Sequence, residues 1–365
     1  MVGTRVEKGT VTGTTDRARL YQSLRTAHLE RAHQLPRARL IYAGTRYDFD
    51  EALAEGLDLV DGRGARAAIE LVRRPPDSLE INEPLMLESA LWTLATVTAL
   101  RVRTLGRRQR VALVTYAIEN RDPRGDVLAP KLRTRVRRAA ELFAARVLAR
   151  QVERIAYGTA AAQRLYEDFG TPPGVGRLVW ALPAHKEARS SSGPVAVFAS
   201  AFSLRKGIDT LLQSWPAVVR ALPDARLVLI GSGAELPRVL STAGEDATLR
   251  VLLNPPRSEV LEQIQASRVV VLPSRPTPDW REQVGLPIVE GLAYGRTIVT
   301  TPETGLADWL AEHGHQLVPP DDPVALAAAM IAALSHPLDV REVTATLPAV
   351  DGRVAADAWM FGDPA

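Results

Sequence analysis

Short apolar segments alternate with helical segments along most of the chain, and this alternation restricts the fold more than any other feature. In the first half, strands are predicted at 39–43, 78–81, 111–116, 154–157 and 177–182. Helices are predicted at 50–55, 87–102, 132–150 and 160–169. Strands that alternate with helices build a parallel sheet covered by helices. We therefore expect an α/β fold.

The same pattern restarts after residues 187–193 (EARSSSG), a small polar stretch that we interpret as a linker. Strands are predicted beyond it at 195–200, 226–230, 249–253, 269–272, 297–300 and 316–318. Helices are predicted at 207–222, 234–240, 258–266, 287–294, 306–313 and 324–334.

Two domains are the default for 365 residues, and the restart of the pattern supports two doubly wound α/β domains. We place them at 37–186 and 194–340. A polar, flexible extension over 1–36 precedes them, with residues 1–15 expected to be disordered and an Arg-rich segment after them that could be helical. The tail over 341–365 follows.

Composition excludes several classes of protein. Hydrophobic residues make up 46% of the chain and charged residues 24%, which is typical of a globular protein. The chain has no cysteine, which excludes disulfides and thiolate metal sites. No signal-peptide pattern opens the chain, and the longest apolar run, over 90–100, is too short to span a bilayer. These features predict a cytoplasmic protein.

Positive charge is concentrated in residues 101–150, which hold 14 basic and 4 acidic residues. Within the helix predicted over 132–150, an apolar stripe at three-to-four spacing is expected to pack on the sheet. Its members are Leu132, Val136, Phe143 and Val147. The basic run that begins at Lys131 has two open interpretations: a solvated face, or peripheral docking of 131–150 on an anionic membrane. Nucleic acid is disfavoured because no aromatic residues interleave with the charges.

Residues 273–300 contain the strongest functional signal. The segment leaves an apolar strand, passes through a proline-rich loop and enters a short helix. Pro287 suits the first turn of that helix, and Gly295 suits its end. Gly285 leaves the backbone N–H groups at Leu286 open to a ligand. A strand, a loop and a helix N-terminus together form a natural phosphate site.

Two glutamates, Glu282 and Glu290, flank this helix entry. Carboxylates beside an anion site suit a ligand that also carries hydroxyls, and a nucleotide-sugar has both. The sequence pattern PSR-x-TP-x-W-R-E-Q-x-G-x-P-I-V-E resembles the E-x7-E motif of family 4 glycosyltransferases, in the version found in bacterial polysaccharide-building members. These are retaining enzymes of the GT-B fold. The resemblance implies two Rossmann-like, doubly wound parallel-sheet domains facing across a cleft. It also implies that the tail over 341–365 crosses back onto the first domain.

The resemblance also implies roles for single residues. Glu290 would hydrogen-bond the nucleotide ribose, and Glu282 would contact donor-sugar hydroxyls near the transferred carbon. Gly285, Leu286 and Pro287 would offer backbone to the diphosphate or the sugar. The alternatives are a helix-stabilising carboxylate for Glu290 and a solvated loop charge for Glu282.

Arg205-Lys206-Gly207 follows the first strand of the second domain and opens a helix. A cation there is unfavourable for the helix itself, but it suits a bound diphosphate. The segment resembles the phosphate-binding K-G of the family, whose further upstream arginine is replaced here by Ser200 and Ala201. We assign Ser200 to donor binding. We predict that Lys206 and Arg205 stabilise the departing diphosphate; the alternative is two surface-exposed basic residues.

Two more segments of the second domain follow strands and are predicted to approach the donor. Gly231 and Gly233 form a tight turn that lets backbone approach a ligand, or else a plain turn. The nucleotide base is expected near Leu253 and Asn254.

The remaining candidates are weaker. Arg275 and Trp280 share the proline-rich loop and either touch the ligand or pack the loop; we assign Arg275 to donor binding. In the first domain, Glu119 and Asn120 follow a strand and are expected to face the cleft, where many relatives have a histidine. Gly44 belongs to a reduced form of the family's glycine-rich acceptor loop.

The predicted function is a retaining transfer of a sugar from a UDP- or GDP-linked donor to a hydroxyl of a glycan, a lipid-linked molecule or a small molecule. No metal site and no cofactor are predicted, because Asp321-Asp322-Pro323 suits a helix start and the histidines form no metal pattern. One alternative is a noncatalytic nucleotide-sugar-binding scaffold. A second is a GT-B epimerase, which would need its own acid/base set.

Overall fold

The computed structural model describes residues 16–46, 49–106, 110–125, 132–187, 191, 193–278 and 280–362. The predicted disordered stretch 1–15, Lys131 and linker residues 188–190 and 192 lie outside these ranges. Contacts divide the chain into two compact units. One comprises Met1–Asn82 with Leu91–Val114, and the other Glu83–Ala90 with Thr115–Ala365. The predicted domain boundaries stay a prediction.

The first sheet has seven strands in the described part of the chain, in the order β3-β2-β1-β4-β5-β6-β7. They are β1 Arg17–Tyr21, β2 Arg39–Tyr42, β3 Asp58–Asp61, β4 Ser78–Glu80, β5 Ala112–Ala117, β6 Arg154–Tyr157 and β7 Gly176–Leu178. The pairs of β1 with β2 and β4 are parallel, as are β2–β3, β4–β5 and β6–β7. The last strand is shorter than the predicted 177–182.

Strand β1 lies inside this sheet, between β2 and β4, so our expectation of a polar, helical segment was wrong for these residues, although a helix over Thr26–Ala32 follows in the same stretch. The strand was not recognised in the sequence RARLY because two arginines, rather than apolar residues, occupy buried positions. Arg19 is 1% exposed, and its Nε donates to Glu80 Oε2 at 3.0 Å. A buried guanidinium is tolerated when a carboxylate pairs with it.

Helices connect these strands. They are α1 Thr26–Ala32, α2 Arg66–Arg73, α3 Leu87–Arg103, α4 Leu132–Gln151 and α5 Ala160–Phe169. The predicted helix at 50–55 is a short 3₁₀ turn, Glu51–Ala54. None of the helices in the described ranges is long and apolar enough to cross a membrane.

The second sheet has the order β10-β9-β8-β11-β12-β13. Its strands are β8 Val195–Ala199, β9 Arg226–Ile230, β10 Leu249–Leu252, β11 Val269–Leu272, β12 Thr297–Thr300 and β13 Gln316–Leu317. All five neighbouring pairs are parallel. β11 and β12 are buried along their whole length, as expected for central strands covered on both faces. The predicted alternation of strands and helices is confirmed.

Helices cover both faces of this sheet and form the tail. They are α6 Ile208–Ala221, α7 Leu236–Glu245, α8 Arg257–Ala266, α9 Leu286–Ala293, α10 Ala307–Glu312, α11 Pro323–Ser335, α12 Val340–Ala345 and α13 Gly352–Phe361. A single apolar core runs between sheet and helices, with Phe198, Trp215 and Val270 buried in it. At the end of the tail, Arg154 of β6 donates to the carbonyl of Trp359 at 2.9 Å.

Helix α4 does not pack as predicted. Three of the four members of the apolar stripe expected to lie on the sheet face solvent instead: Leu132, Val136 and Phe143 are 73%, 61% and 65% exposed, while Val147 is partly buried. The buried face consists of smaller residues, namely Ala144, Ala145, Leu148 and Ala149. The spacing of the stripe correctly predicted a helix but not which face is buried, because alanines satisfy the same periodicity at lower hydrophobicity.

Candidate active site

The order of the second sheet reverses between β8 and β11. In open parallel sheets, ligands bind beyond the carboxyl ends of the strands at such a point. The chain leaving β8 forms the turn 203–207, which we call the cation turn, and the chain leaving β11 forms the loop 273–285, which we call the motif loop. The two meet directly, since Arg275 N donates to Arg205 O at 3.0 Å. The structure thus brings together the two segments with the strongest sequence signals.

Gly207 lets these segments approach each other. It has a φ of +71°, and a Cβ built on it would lie 2.0 Å from the carbonyl oxygen of Pro273. No residue with a side chain fits at this distance. The cation turn, whose 3₁₀ helix is Leu204–Lys206, therefore packs backbone against backbone on the motif loop before α6 begins.

Lys206 and Glu282 form an ion pair at the centre of the site. Lys206 Nζ lies 2.5 Å from Glu282 Oε2, and the two side chains are only 15% and 9% exposed. The same carboxylate oxygen accepts a hydrogen bond of 2.9 Å from Ser274 Oγ. Ser274 is itself held, because Thr301 Oγ1 donates to its carbonyl. Two of the three predicted catalytic residues, Lys206 and Glu282, are therefore held in position, and Ser274 is a neighbour of Glu282 that our sequence reasoning missed.

Trp280 lies against both cations of the turn. The centre of its ring is 4.7 Å from Arg205 Cζ and 4.8 Å from Lys206 Nζ, within the range of cation–π attraction. Thr277 and Trp280 exchange main-chain hydrogen bonds of 2.9 and 3.2 Å, which close the loop into a small turn. Trp280 thus packs the loop and orders the two cations together.

The Arg275 guanidinium pairs with two carboxylates rather than with groups of the cation turn. It lies 3.3 Å from Asp209 Oδ2 and also pairs with Asp321. These contacts fix the motif loop to α6 and to the segment before α11. Its predicted role in donor binding stays a prediction.

Glu290 lies in α9, where its side chain is 10% exposed, and it forms an ion pair with Arg257. Arg257 is the first residue of α8, three positions after Asn254. We did not predict this residue from the sequence, although its place just after the predicted base-binding segment was a usable signal. The Arg257 guanidinium therefore lies against the carboxylate that is predicted to bind the ribose.

The helix that carries Glu290 begins as expected for a ligand-facing N-terminus. Gly285 is the N-cap residue, with a φ of 82° and no side-chain cap hydrogen bond. Leu286 is half exposed, while Pro287 is buried in the first turn. The contacts of these three residues with a donor stay a prediction.

The loops after β8, β9 and β10 lie side by side. Ser200 N donates to the carbonyl of Ile230 at 3.0 Å, and a Cβ on Gly231 would lie 2.1 Å from Ser200 O. A Cβ on Gly233 would lie 2.5 Å from the carbonyl oxygen of Phe202. The glycines are thus needed for close packing, which agrees with the plain-turn interpretation and leaves ligand contact open.

The chain beyond β10 continues this edge of the sheet. Gly231 N donates to the carbonyl of Leu252 at 3.1 Å. Leu253 is 50% exposed, and Asn254 has a positive φ of 45°. A half-exposed apolar side chain beside a tight turn could stack on a base, which is the predicted role of this segment.

Asn120 and Glu119 contact the motif loop within the same compact unit. Asn120 Nδ2 donates to the carbonyls of Glu282 at 2.8 Å and Glu303 at 3.1 Å. Gln283 Nε2 donates to Glu119 Oε2 at 3.1 Å. The two residues are therefore next to Glu282, whereas Gly44 belongs to the other unit, where its carbonyl accepts from Leu24 N at 2.9 Å.

Glu83 is a buried carboxyl group that no sequence pattern singles out. It is 8% exposed, and Glu83 Oε2 accepts from the backbone N–H groups of Ile118 at 3.0 Å and Glu119 at 2.9 Å. Burial, and secondarily the charge of Glu119, raise the pKa of Glu83 to about 8. Tyr166 is buried beside it, and burial raises the pKa of that phenol too. Glu83 therefore accepts hydrogen bonds from the backbone at the start of the segment that carries Glu119 and Asn120.

This burial predicts a pH-dependent stability that a single substitution removes. Between about pH 4.5 and pH 8 the folded chain holds a proton on Glu83 that the unfolded chain has lost, so the free energy of unfolding falls as the pH rises. Glu83→Gln keeps an acceptor for both N–H groups without a charge. We expect it to be more stable than wild type at pH 9, by on the order of 1–3 kcal/mol, and to differ less at pH 6.

Urea unfolding of both proteins at the two pH values measures this effect. Glu262→Gln, on the exposed face of α8, is the matched control and should follow the wild-type profile. Parallel pH profiles for wild type and Glu83→Gln would contradict the assignment.

Comparison with known proteins finds similarity to glycosyltransferases. Residues 193–336 match the family model of glycosyl transferases group 1. The match spans both the cation turn and the motif loop. A GDP-mannose-dependent monoacylated alpha-(1-6)-phosphatidylinositol monomannoside mannosyltransferase of Corynebacterium glutamicum is 26% identical over 198 residues, 47% of this chain and 51% of that protein. An uncharacterized glycosyltransferase of Haemophilus influenzae is 29% identical over 133 residues, 36% of each chain. The chain thus spans about half, or less, of these curated relatives.

Solved structures show the same fold over nearly the whole chain. The lipopolysaccharide outer core galactosyltransferase WaaB, in its apo form, has a TM-score of 0.67 at 10% identity, covering 95% of this chain and 99% of that one. HepE of Anabaena in complex with UDP-glucose has a TM-score of 0.59 at 14% identity, covering 95% and 94%. The predicted GT-B fold class, with two parallel sheets flanked by helices, is confirmed.

Proposed function

We propose that the chain is a retaining glycosyltransferase of family 4 that moves a sugar from a nucleotide-diphosphate sugar to an acceptor hydroxyl. One observation carries this proposal: the ion pair of Lys206 and Glu282, held at the switch point of a sheet that matches the glycosyl transferase model. A cation for phosphate and a carboxylate for hydroxyls lie side by side there, as a nucleotide-sugar requires.

The cation turn would carry the main catalytic effect. As the bond between the sugar and the diphosphate breaks, negative charge grows on the leaving phosphate. Lys206 and Arg205 are placed before this charge develops, because Glu282 and the Trp280 ring already hold them. Positioned cations stabilise a transition state without reorganising, and in many enzymes this stabilisation contributes more to the rate than any other effect.

Glu282 would orient the donor sugar, and Glu290 would bind the ribose. Glu282 Oε2 is engaged by Lys206 and Ser274, so a sugar hydroxyl would have to approach the other carboxylate oxygen or displace one partner. For retention, we propose that the acceptor hydroxyl attacks from the face of the leaving phosphate, which takes up its proton. No protein base and no metal are then needed.

The proposal covers both UDP-linked and GDP-linked donors. A relative is named for GDP-mannose, and a structural neighbour was solved with UDP-glucose, so either base is compatible. The acceptor would be a glycan, a lipid-linked molecule or a small molecule. We further propose a cytoplasmic location with peripheral contact of α4 on an anionic membrane.

Binding of one nucleotide tests the donor site directly. We expect either UDP or GDP, and its sugar conjugates, to raise the melting temperature of the full chain. A ligand at 100 times its Kd adds about 2.7 kcal/mol to the free energy of unfolding. Differential scanning fluorimetry followed by calorimetry measures this effect, with the phosphate-free nucleosides as controls.

The outcomes separate the alternatives. Slow release of free nucleotide from the bound sugar nucleotide would support the transferase. Binding without turnover, even with membrane extracts supplied as acceptor, would favour the noncatalytic scaffold. No binding of any of these nucleotides would overturn the proposal.

A further inference from the structure

The solvent-facing side of α4 carries large apolar residues where a helix of a globular protein usually carries charges. Leu132, Val136 and Phe143 are 73%, 61% and 65% exposed. At about 100° per residue, their Cα atoms lie within about 40° of one another around the helix axis. They form one continuous strip, which we call the apolar strip.

Arginines line both sides of the apolar strip. Arg135 and Arg146 lie on one side, Arg133 and Arg137 on the other, and all four are exposed. The one acidic residue of the described helix, Glu141, pairs with Arg137 at 2.7 Å. The exposed surface of α4 is therefore cationic as well as apolar.

These two properties together identify the surface that this helix fits. An apolar strip alone would suit any apolar partner, and arginines alone would suit any anion. An interfacial helix needs both, because its apolar side chains enter the acyl region while its arginines extend to the headgroup phosphates. The opposite face of α4, with Ala144 and Leu148 buried, fixes the helix to the protein and keeps the strip outward.

We infer that α4 binds an anionic lipid surface in the plane of the membrane, with Leu132, Val136 and Phe143 inserted among the lipids. This inference deepens the acceptor side of the proposed function, on which its purpose rests, because it would bring the enzyme to lipid-linked acceptors. It adds apolar insertion to charge attraction, and the two have different experimental signatures.

Vesicle flotation of the full chain tests the inference. We expect binding to vesicles of phosphatidylcholine mixed with phosphatidylglycerol and little binding to phosphatidylcholine alone. Replacing Leu132, Val136 and Phe143 together by serine should weaken binding by about tenfold or more, even at low salt. Replacing three exposed arginines of the helix together by glutamine, namely the flanking Arg133 and Arg135 and the C-terminal Arg150, should weaken it roughly 100-fold, with a weaker salt dependence.

Val324→Ser is the matched control, because Val324 is 78% exposed on α11, away from the strip. It should bind vesicles as the wild type does. Circular dichroism and nucleotide binding should be the same in all variants, since the changed side chains are on the surface. This readout separates a failure of the inference from a failure of the donor site.

Four outcomes would overturn the inference. The first is a wild-type chain that does not float with anionic vesicles, and the second is a serine variant that floats as well as the wild type. The third is a wild-type dimer that the serine variant converts to a monomer without any lipid, which would make the strip a contact between two copies. The last is RNA binding in a mobility-shift assay that only the arginine variant abolishes, together with no vesicle binding, which would assign the surface to nucleic acid instead.

Discussion

Substitution of Lys206 by alanine is expected to lower kcat by roughly 10²–10³-fold, the effect of removing one positioned charge from a developing oxyanion. The ammonium group lies at the carboxyl end of β8, where the leaving diphosphate of a donor would be bound. Its side chain is 15% exposed, so water compensates little for its loss. Steady-state kinetics with the donor identified by nucleotide binding measure the change.

Two further variants show that the loss arises from the charge. Lys206→Gln can still donate a hydrogen bond to the Glu282 carboxylate, which the alanine variant leaves buried without its cation. The kcat of Lys206→Gln should nevertheless fall almost as far as that of the alanine variant. Lys186→Ala removes an exposed lysine elsewhere in the same unit and should leave kcat unchanged. A folded Lys206→Gln enzyme with wild-type kcat would show that this lysine does not act on the leaving group.

Substitution of Glu290 by alanine is expected to weaken nucleotide-sugar binding by roughly 10–100-fold, which corresponds to the loss of one or two hydrogen bonds to a charged group. The fold should persist, because the Arg257 side chain left behind is 43% exposed and can be solvated. Isothermal titration calorimetry with the bound nucleotide and with its base alone measures the effect. The base should lose little affinity, since it carries no ribose.

Glu290 and Arg257 can be separated experimentally. Arg257→Ala breaks the same ion pair but keeps the carboxylate, so a ribose contact predicts a smaller loss than in Glu290→Ala. Glu262→Ala, on the exposed side of α8, is the control for a lost glutamate. Equal affinity in wild type and folded Glu290→Ala would remove this residue from the donor site.

The second half of the chain was more predictable than the first, for a physical reason. Its strands are continuous apolar runs such as Val269–Leu272, because helices cover both faces of the sheet. Strand β1 has no such run. Its buried positions include Arg19, whose partner Glu80 is 61 positions away, and a single sequence does not reveal a pairing over that distance.

The candidate site shows the same limit at the level of side chains. The motif loop and the cation turn could be recognised because their residues are close in sequence and follow strands. The contacts across segments could not: Lys206 with Glu282, Glu290 with Arg257, and Asn120 with Glu282 become neighbours only through the topology of the sheets. Glu83 had no signal, since nothing in its sequence neighbourhood shows that it is buried.

The close packing at Gly207 has a consequence for anyone who wishes to move this site to another protein. The turn and the loop touch through main-chain atoms, with the Pro273 oxygen in the space a side chain would need. Grafting either segment alone would leave a backbone surface without its counterpart. The smallest transferable unit is therefore β8 with its turn and β11 with its loop, neighbouring strands separated by some 70 residues of sequence. Insertions between them are harmless only if they preserve that adjacency.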